Sequence, residues 1–360
     1  MIEKELVIIG GGPAGLAAAL AAASCGVVTA ILDRNPILGG QLIKQTHKFF
    51  GSEKQYAKRR GFDIAHLLLN ELSAYRDLIT IVPAATVLAI YPDKVVTYLK
   101  QDKYFKVKAK AIIVATGAYE KTLTFENNDL PGIYGAGAVQ TLMNVYGIKP
   151  GHRVVMVGSG NIGLIVSYQL LQAGVKVMAV LEAAPKIGGY KVHAAKLRRH
   201  GVSIITARTV VKAHGTEAIY GITSMRLNDL WQPIPGTELY FPVDALCVAV
   251  GLSPLVNLLG MLEVKMQYIP ELGGLVPVLD DNYMTSAENV FACGDVAGIE
   301  EASSAIVEGR LSGLYAARKL GKLISEVALH DYQNQLRLLR GGPYGEKIRN
   351  GFQKARRLEC

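Results

Sequence analysis

With 360 residues, half of them apolar and 19% charged, the chain can build two domains or one domain inserted in another, which excludes intrinsic disorder. Its formal charge of +9 gathers in Lys54–Arg60, Lys196–His200 and the C-terminal tail, without aromatic interleaving, so it reads as a docking or solubility feature rather than a nucleic-acid surface. The four cysteines, Cys25, Cys247, Cys293 and Cys360, stand far apart, which excludes a C-x-x-C redox pair, leaves no spacing for an iron–sulfur or zinc site and points to a reducing cytoplasm.

The first predicted element is the uncharged run Leu6–Ile9, as a strand buried on both faces requires. Gly10, Gly12 and Gly15 follow as G-x-G-x-x-G, with Pro13 and Ala14 inside the motif. A helix-length stretch, Leu16–Ala23, and a second apolar run, Val27–Leu32, lead to Asp33, which stands 23 positions after Gly10 and is followed by Arg34. Strand, glycine turn, helix, strand and acid together predict a dinucleotide site. The helix N-terminus faces the pyrophosphate and the carboxylate holds a ribose hydroxyl. No charge interrupts Leu6–Leu32, but three consecutive glycines, Pro13 and Gly26 break the run into pieces too short to span a bilayer, and Met1–Glu5 is a poor signal-peptide start.

Gly39 and Gly40 mark another close backbone approach, and Gln41, Lys44, Thr46 and His47 follow in a predicted loop beside the cofactor. Phe62–Tyr75 reads as an amphipathic helix, and Ile79–Val82, Thr86–Tyr91 and Lys94–Leu99 as short strands, with Val87 a further candidate contact. A basic strand, Lys103–Lys108, precedes a buried strand, Ala109–Ala115, which ends in Thr116–Gly117; Ala115, Thr116 and Gly117 are placed at a sheet's carboxyl edge beside the cofactor. After a helix over Ala136–Tyr146 the opening pattern returns. Arg153–Gly163 is a strand and a second G-x-G-x-x-G at Gly158, Gly160 and Gly163, enclosing Asn161 and Ile162. Val175–Leu181 is its second strand, and Glu182 stands 24 positions after Gly158. A carboxylate there accepts from a free 2′-hydroxyl and repels a 2′-phosphate, so this site is expected to prefer NAD(H), with Lys186 close enough to temper the preference.

The segment to Phe241 reads as a β-meander in which Trp231 packs, and Pro242–Val250 as a buried strand leading into Gly251. Asn289–Cys293 is the last strand, followed by Gly294–Asp295 and a helix over Glu301–Leu320. Asp295 is placed to hold a ribityl hydroxyl chain, and Ala302 and Ser303 open a helix whose N-terminus stabilises negative charge on a reduced flavin. No residue is assigned as a catalytic acid or base, and no metal site is expected.

Gly10–Gly15, Gly39–Leu42, the Thr116 strand end, Gly158–Gly163 and Phe291–Asp295 together resemble the two-dinucleotide-domain flavoproteins of the thioredoxin-reductase-like group. The resemblance implies an α/β fold of two Rossmann-like three-layer domains. FAD lies on residues 1–120 and 251–330, NAD on an inserted domain at 121–250, and residues 331–360 form a basic tail for partner docking or a surface helix. The group's redox dithiol is missing, with Gln41–Leu42 after the first glycine pair, so dithiol chemistry is excluded. Ala115–Gly151 and Leu181–Val202 are more similar to nucleotide-binding subunits of heteromeric amine and amino-acid dehydrogenases: sarcosine oxidase alpha, opine oxidase A, hydrogen cyanide synthase and dye-linked proline dehydrogenase. That branch implies a hetero-oligomer with a second flavoprotein subunit plus a small iron–sulfur protein. Two other readings stay open: a stand-alone NADH:acceptor reductase serving a ferredoxin-type carrier, and a nucleotide-holding scaffold subunit.

Overall fold

The uncharged run ends strand β1 (Ile2–Ile9), and the alanine-rich stretch after the glycines is helix α1 (Pro13–Ser24). Then follow β2 (Thr29–Leu32), α2 (Gly61–Ser73), β3 (Ile79–Val82), β4 (Thr86–Ile90), β5 (Val95–Lys100) and β6 (Lys103–Val114). The two strands expected over 103–115 are one, because no turn residue separates Lys108 from Ala109. The first half of β6 pairs antiparallel with β5, and the second half pairs parallel with β1, giving the parallel order β3–β2–β1–β6. The pleat sends Leu6 and Ile8 into one core with α1 and α2, and Val7 and Ile9 into another beneath the β4–β5 meander. The sheet is therefore buried on both faces, which explains runs of Val, Ile and Leu without alternation.

The described residues are 2–49, 52–343 and 345–356 of a computed structural model in which the chain divides into two units; Cys360 lies outside them. Unit 2 is Glu120–Leu252; unit 1 comprises the residues before and after it. Unit 2 repeats the plan with β7 (Ile133–Gly135), α3 (Ala136–Asn144), β8 (Arg153–Val157), α4 (Asn161–Gln172), β9 (Lys176–Leu181), α5 (Lys191–Arg199) and β10 (Ser203–Ile205). The antiparallel β11 (Arg208–Gly215), β12 (Ile219–Arg226) and β13 (Leu239–Phe241) precede β14 (Ala245–Val248). The parallel order is β10–β9–β8–β14–β7, again between a helical core and a core shared with the meander. The buried strand expected over Pro242–Val250 is confined to β14. Trp231 does not pack: it is 61% exposed in the turn before β13, because that turn's bonds run through Asn228 to the backbone of Leu230 and Gln232 and leave the indole outside.

The chain re-enters unit 1 and adds β15 (Val290–Ala292) beside β6. Helix α6 (Ala302–Lys319) then crosses α1 at close range; a Cβ on Gly309 would lie 2.1 Å from Ala14 O, and one on Gly313 2.3 Å from Ala18 O. The tail forms α7 (Glu326–Leu339) and α8 (Glu346–Arg356). Leu329 and Leu336 of α7 join the core with α1 and α6, and Ile348, Phe352 and Ala355 of α8 pack with Ile269, Leu272 and Val276. Leu338 of α7 is exposed.

Candidate functional site

Each unit carries the same loop, built from the same bonds. Gly10 N donates to Leu32 O at 2.8 Å, and Gly158 N to Leu181 O at 2.7 Å, closing each glycine turn on its second strand. The carboxylate of Asp33 accepts from Gly11 N at 2.6 Å and Asn35 N at 2.7 Å. Glu182 accepts from Ser159 N at 2.8 Å and Ala184 N at 2.9 Å, with Ser159 Oγ adding a third bond at 2.6 Å. Both acids are thus fixed beside the glycine turn of their unit, with carboxylate lone pairs left over that fit a ribose hydroxyl.

The glycines of each motif divide by cause. Gly10 and Gly158 have φ of 110° and 103°, and a Cβ on either would lie 2.2 Å from the carbonyl of Ala115 or Ala249. A Cβ on Gly15 or Gly163 would strike the carbonyl of Gly10 or Gly158, at 1.8 and 2.1 Å. These four are demanded by the fold. Gly12 and Gly160 are different. A Cβ on Gly12 would meet only Gly40 Cα, at 3.8 Å, and one on Gly160 would meet nothing within 4 Å. The chain itself needs glycine at neither. The open space lies at the N-terminus of α1 or α4, which carries the positive end of the helix dipole, and it fits a pyrophosphate approaching the backbone.

Around the first loop, Gly40 and Gln41 open a short helical turn, Gly40–Lys44, where a loop was expected; Gln41 and Arg34 are exposed. Thr46 is half-buried and its carbonyl accepts from Arg60 Nη1 at 2.7 Å. In the same segment Gln45 Oε1 is buried with no hydrogen-bond partner among the described residues. Ala85 N bonds Asp33 O at 2.8 Å, which brings the start of β4, and Val87 on it, toward the acid. Ala115 N bonds Ile9 O at 2.8 Å, and Thr116 Oγ1 donates to Leu255 O at 2.8 Å. Gly294 packs against α1, its added Cβ meeting Ala14 Cβ at 2.8 Å, so the last motif joins the first. Asp295 accepts from Glu300 N at 3.3 Å; burial, with Glu300 and Glu301 adding repulsion, pushes its carboxyl up to about 7. Ala302 and Ser303 begin α6 beside it. In unit 2, Asn161 Oδ1 accepts from Tyr190 N at 2.9 Å, and Ile162 is exposed at the opening of α4. Gly251, whose carbonyl accepts from Lys121 N at 2.9 Å, belongs to unit 2 and not to the first set.

Several participants escape a reading of the sequence. Gly188–Gly189 stand six and seven positions after Glu182, as Gly39–Gly40 do after Asp33. Gly39 N bonds Gly11 O at 2.7 Å and Gly189 N bonds Ser159 O at 2.8 Å. Ala249 likewise mirrors Ala115. The signal was a third repeated feature at a fixed offset. Glu308 and Arg340 gave no local pattern. Burial pushes the Cys247 and Cys293 thiols upward, away from thiolate chemistry, and no group of metal-ligating side chains is found among the described residues. No helix among them is long and apolar enough to cross a membrane.

Two glycine-turn cradles on parallel sheets define a two-nucleotide oxidoreductase architecture. Residues 4–309 match the pyridine nucleotide-disulphide oxidoreductases, and the chain belongs to that family of FAD- and NAD(P)-binding oxidoreductases. The opine oxidase A subunit of Agrobacterium tumefaciens (strain Ach5) is 29% identical over 335 residues, 89% of this chain and 66% of that protein. The sarcosine oxidase alpha subunit of Corynebacterium sp. (strain P-1) is 26% identical over 336 residues, 89% of this chain and 33% of that protein. The chain thus spans about two thirds of the first relative and one third of the second. Among solved structures, L-proline dehydrogenase from P. horikoshii superposes with a TM-score of 0.72 at 23% identity, over 94% of this chain and 59% of that one. T. acidophilum thioredoxin reductase superposes with a TM-score of 0.71 at 23% identity, over 88% of this chain and 99% of that one. Both share the fold.

Proposed function

We propose that unit 1 holds FAD and unit 2 holds NAD(H), and that the chain serves as the nucleotide-binding subunit of a heteromeric amine or amino-acid dehydrogenase. The observation that carries the two-cofactor reading is the pair of open positions at Gly12 and Gly160, one in each duplicated cradle. Gly10–Gly15, with Gly40 and Gln41 nearby, would receive the FAD pyrophosphate, Asp33 its adenosine ribose, and Asp295 with the α6 N-terminus the ribityl chain and flavin edge. Gly158–Gly163 and Glu182 would receive NAD(H). When bound, the two cofactors supply hydride transfer between nicotinamide C4 and flavin N5; the residues bind and orient them. The subunit reading is supported by the names of the opine and sarcosine oxidase relatives, each a subunit. A second flavoprotein subunit would oxidise the amine, and a small iron–sulfur protein would carry electrons onward, since no cluster-binding cysteine set is present in this chain.

The test is an anaerobic titration of the FAD-loaded chain with NADH, followed by the flavin's visible absorbance. Bleaching at NADH concentrations well below those needed with NADPH is the expected result, because Glu182 repels a 2′-phosphate. A chain that takes up no FAD, or whose bound flavin NADH leaves oxidised, overturns the catalytic pairing.

A further inference from the structure

We propose that Arg340, in the tail beyond the family match that ends at residue 309, is a positioning residue for the flavin-binding turn Gly294–Asp295, and that it acts through Glu308. The inference rests on the reading that this turn receives FAD.

The geometry is a closed ring. Glu308 lies on α6 and is 1% exposed. One of its oxygens accepts from Gly294 N at 2.8 Å, and the other accepts from Arg340 Nη2. Arg340 Nε also donates to both oxygens of Glu300, at 3.0 and 3.1 Å. Glu300 N in turn donates to Asp295 Oδ1 at 3.3 Å. One guanidinium is therefore two bonds from each residue of the turn. It is itself fixed from α8, because Phe352 places its ring centroid 4.2 Å from the Arg340 carbon and Arg349 donates to Arg340 O.

The chemistry explains why the tail is needed. Glu300, Glu308 and Asp295 form an acidic group at this turn, and Glu308 is too deeply buried for solvent to stabilise its charge. Burial, with repulsion from Glu300, pushes the Glu308 carboxyl up to about 7, and the Arg340 guanidinium opposes that rise by favouring the ionised form. Tyr283 is a further titratable side chain that acts on Arg340. Without the guanidinium, a buried carboxylate beside Glu300 either takes a proton or moves toward water. Either change alters the acceptor that fixes Gly294 N, and with it the placement of Asp295. The basic, Leu-containing tail thus acts as a clamp on a site formed from both ends of unit 1.

The experiment measures FAD dissociation constants on apoprotein by flavin fluorescence, for wild type, Arg340→Met, Arg340→Lys and Arg340→Met/Glu308→Gln. Arg340→Met is expected to weaken FAD binding at least tenfold, and Arg340→Lys to recover most of that loss by restoring the charge. The decisive variant is the double one. The introduced amide is uncharged, so it needs no guanidinium, yet its oxygen still accepts from Gly294 N; the double variant should bind FAD about tenfold more tightly than Arg340→Met alone. A tail that merely adds stability predicts no such recovery. Should Arg340→Met fail to fold, recovery of folded, FAD-binding protein in the double variant supports the inference, and its absence overturns it. Unchanged FAD affinity in Arg340→Met overturns it while leaving the FAD reading intact. A wild-type chain that binds no FAD overturns both.

Discussion

Gly12 and Gly160 sit at helix N-caps with φ of −80° and −65°, values any L-residue adopts, and with open space where a Cβ would stand. Their neighbours Gly15 and Gly163 have a carbonyl in that place. A substitution series can therefore separate ligand from fold at single-atom scale. Gly12→Ala is expected to cost no more than about 1 kcal/mol of stability, the N-cap difference between glycine and alanine. It should weaken FAD binding on the order of 100-fold, about 2.7 kcal/mol, because the methyl occupies the pyrophosphate's approach. Gly160→Ala should keep FAD and lose NADH reduction of the flavin at low NADH. Thermal melts of the apoproteins, FAD titration and NADH titration check the three parts; a Gly12→Ala protein that binds FAD normally would place the pyrophosphate elsewhere. Gly15→Ala is the contrast, since it should unfold the motif together with the binding.

At the level of elements, α1 and α6 touch through small residues. Ala14, Ala18 and Ala21 of α1 face Gly309 and Gly313 of α6, and this contact fixes the last motif against the first. Gly309→Val places atoms where Ala14 O stands, so the helices must separate, at a cost of about 3 kcal/mol. FAD affinity should fall with stability, read from melting and FAD titration together. Gly260→Ala, whose Cβ meets nothing within 4 Å, is the control and should change stability by less than about 0.5 kcal/mol. This is also the scale at which the sequence was most legible. Leu6–Ile9 and Ala111–Val114 read as strands because burial on both faces leaves no polar residue to confuse the pattern. The glycine turns read clearly because their spacing is set by local sterics. Long-range contacts were not legible. Nothing near Arg340 in sequence announces Glu300 and Glu308, which lie 40 and 32 positions away. The continuity of β6 was hidden because its lysine-rich half faces water while its apolar half is buried. Trp231 was misread because a large apolar side chain is usually buried, whereas here the Asn228 bonds fix the turn without it.

For the whole molecule, the division into units carries a prediction of its own. The buried cores of residues 1–119 and 253 onward are separate sets of side chains from those of residues 120–252. The chain leaves and re-enters unit 1 at neighbouring points: Leu255 N bonds Gly117 O at 2.9 Å, and Thr116 Oγ1 bonds Leu255 O at 2.8 Å. A short Gly/Ser link can therefore replace residues 120–252 without stretching the backbone, and a closure this short adds little entropy to the folded state's cost. The expected product folds, binds FAD through Gly10–Gly15, Asp33 and Asp295, and shows a flavin that NADH no longer bleaches. The full chain, titrated in parallel, should bleach. Circular dichroism melts and FAD retention on gel filtration report the first half of the prediction, and the anaerobic titration the second. A shortened protein whose flavin is still reduced by NADH at the full chain's concentrations would remove NAD(H) from unit 2. A shortened protein that cannot fold would show that unit 1 draws its stability from the inserted residues, and that the two cradles, although built from the same bonds, are not independent.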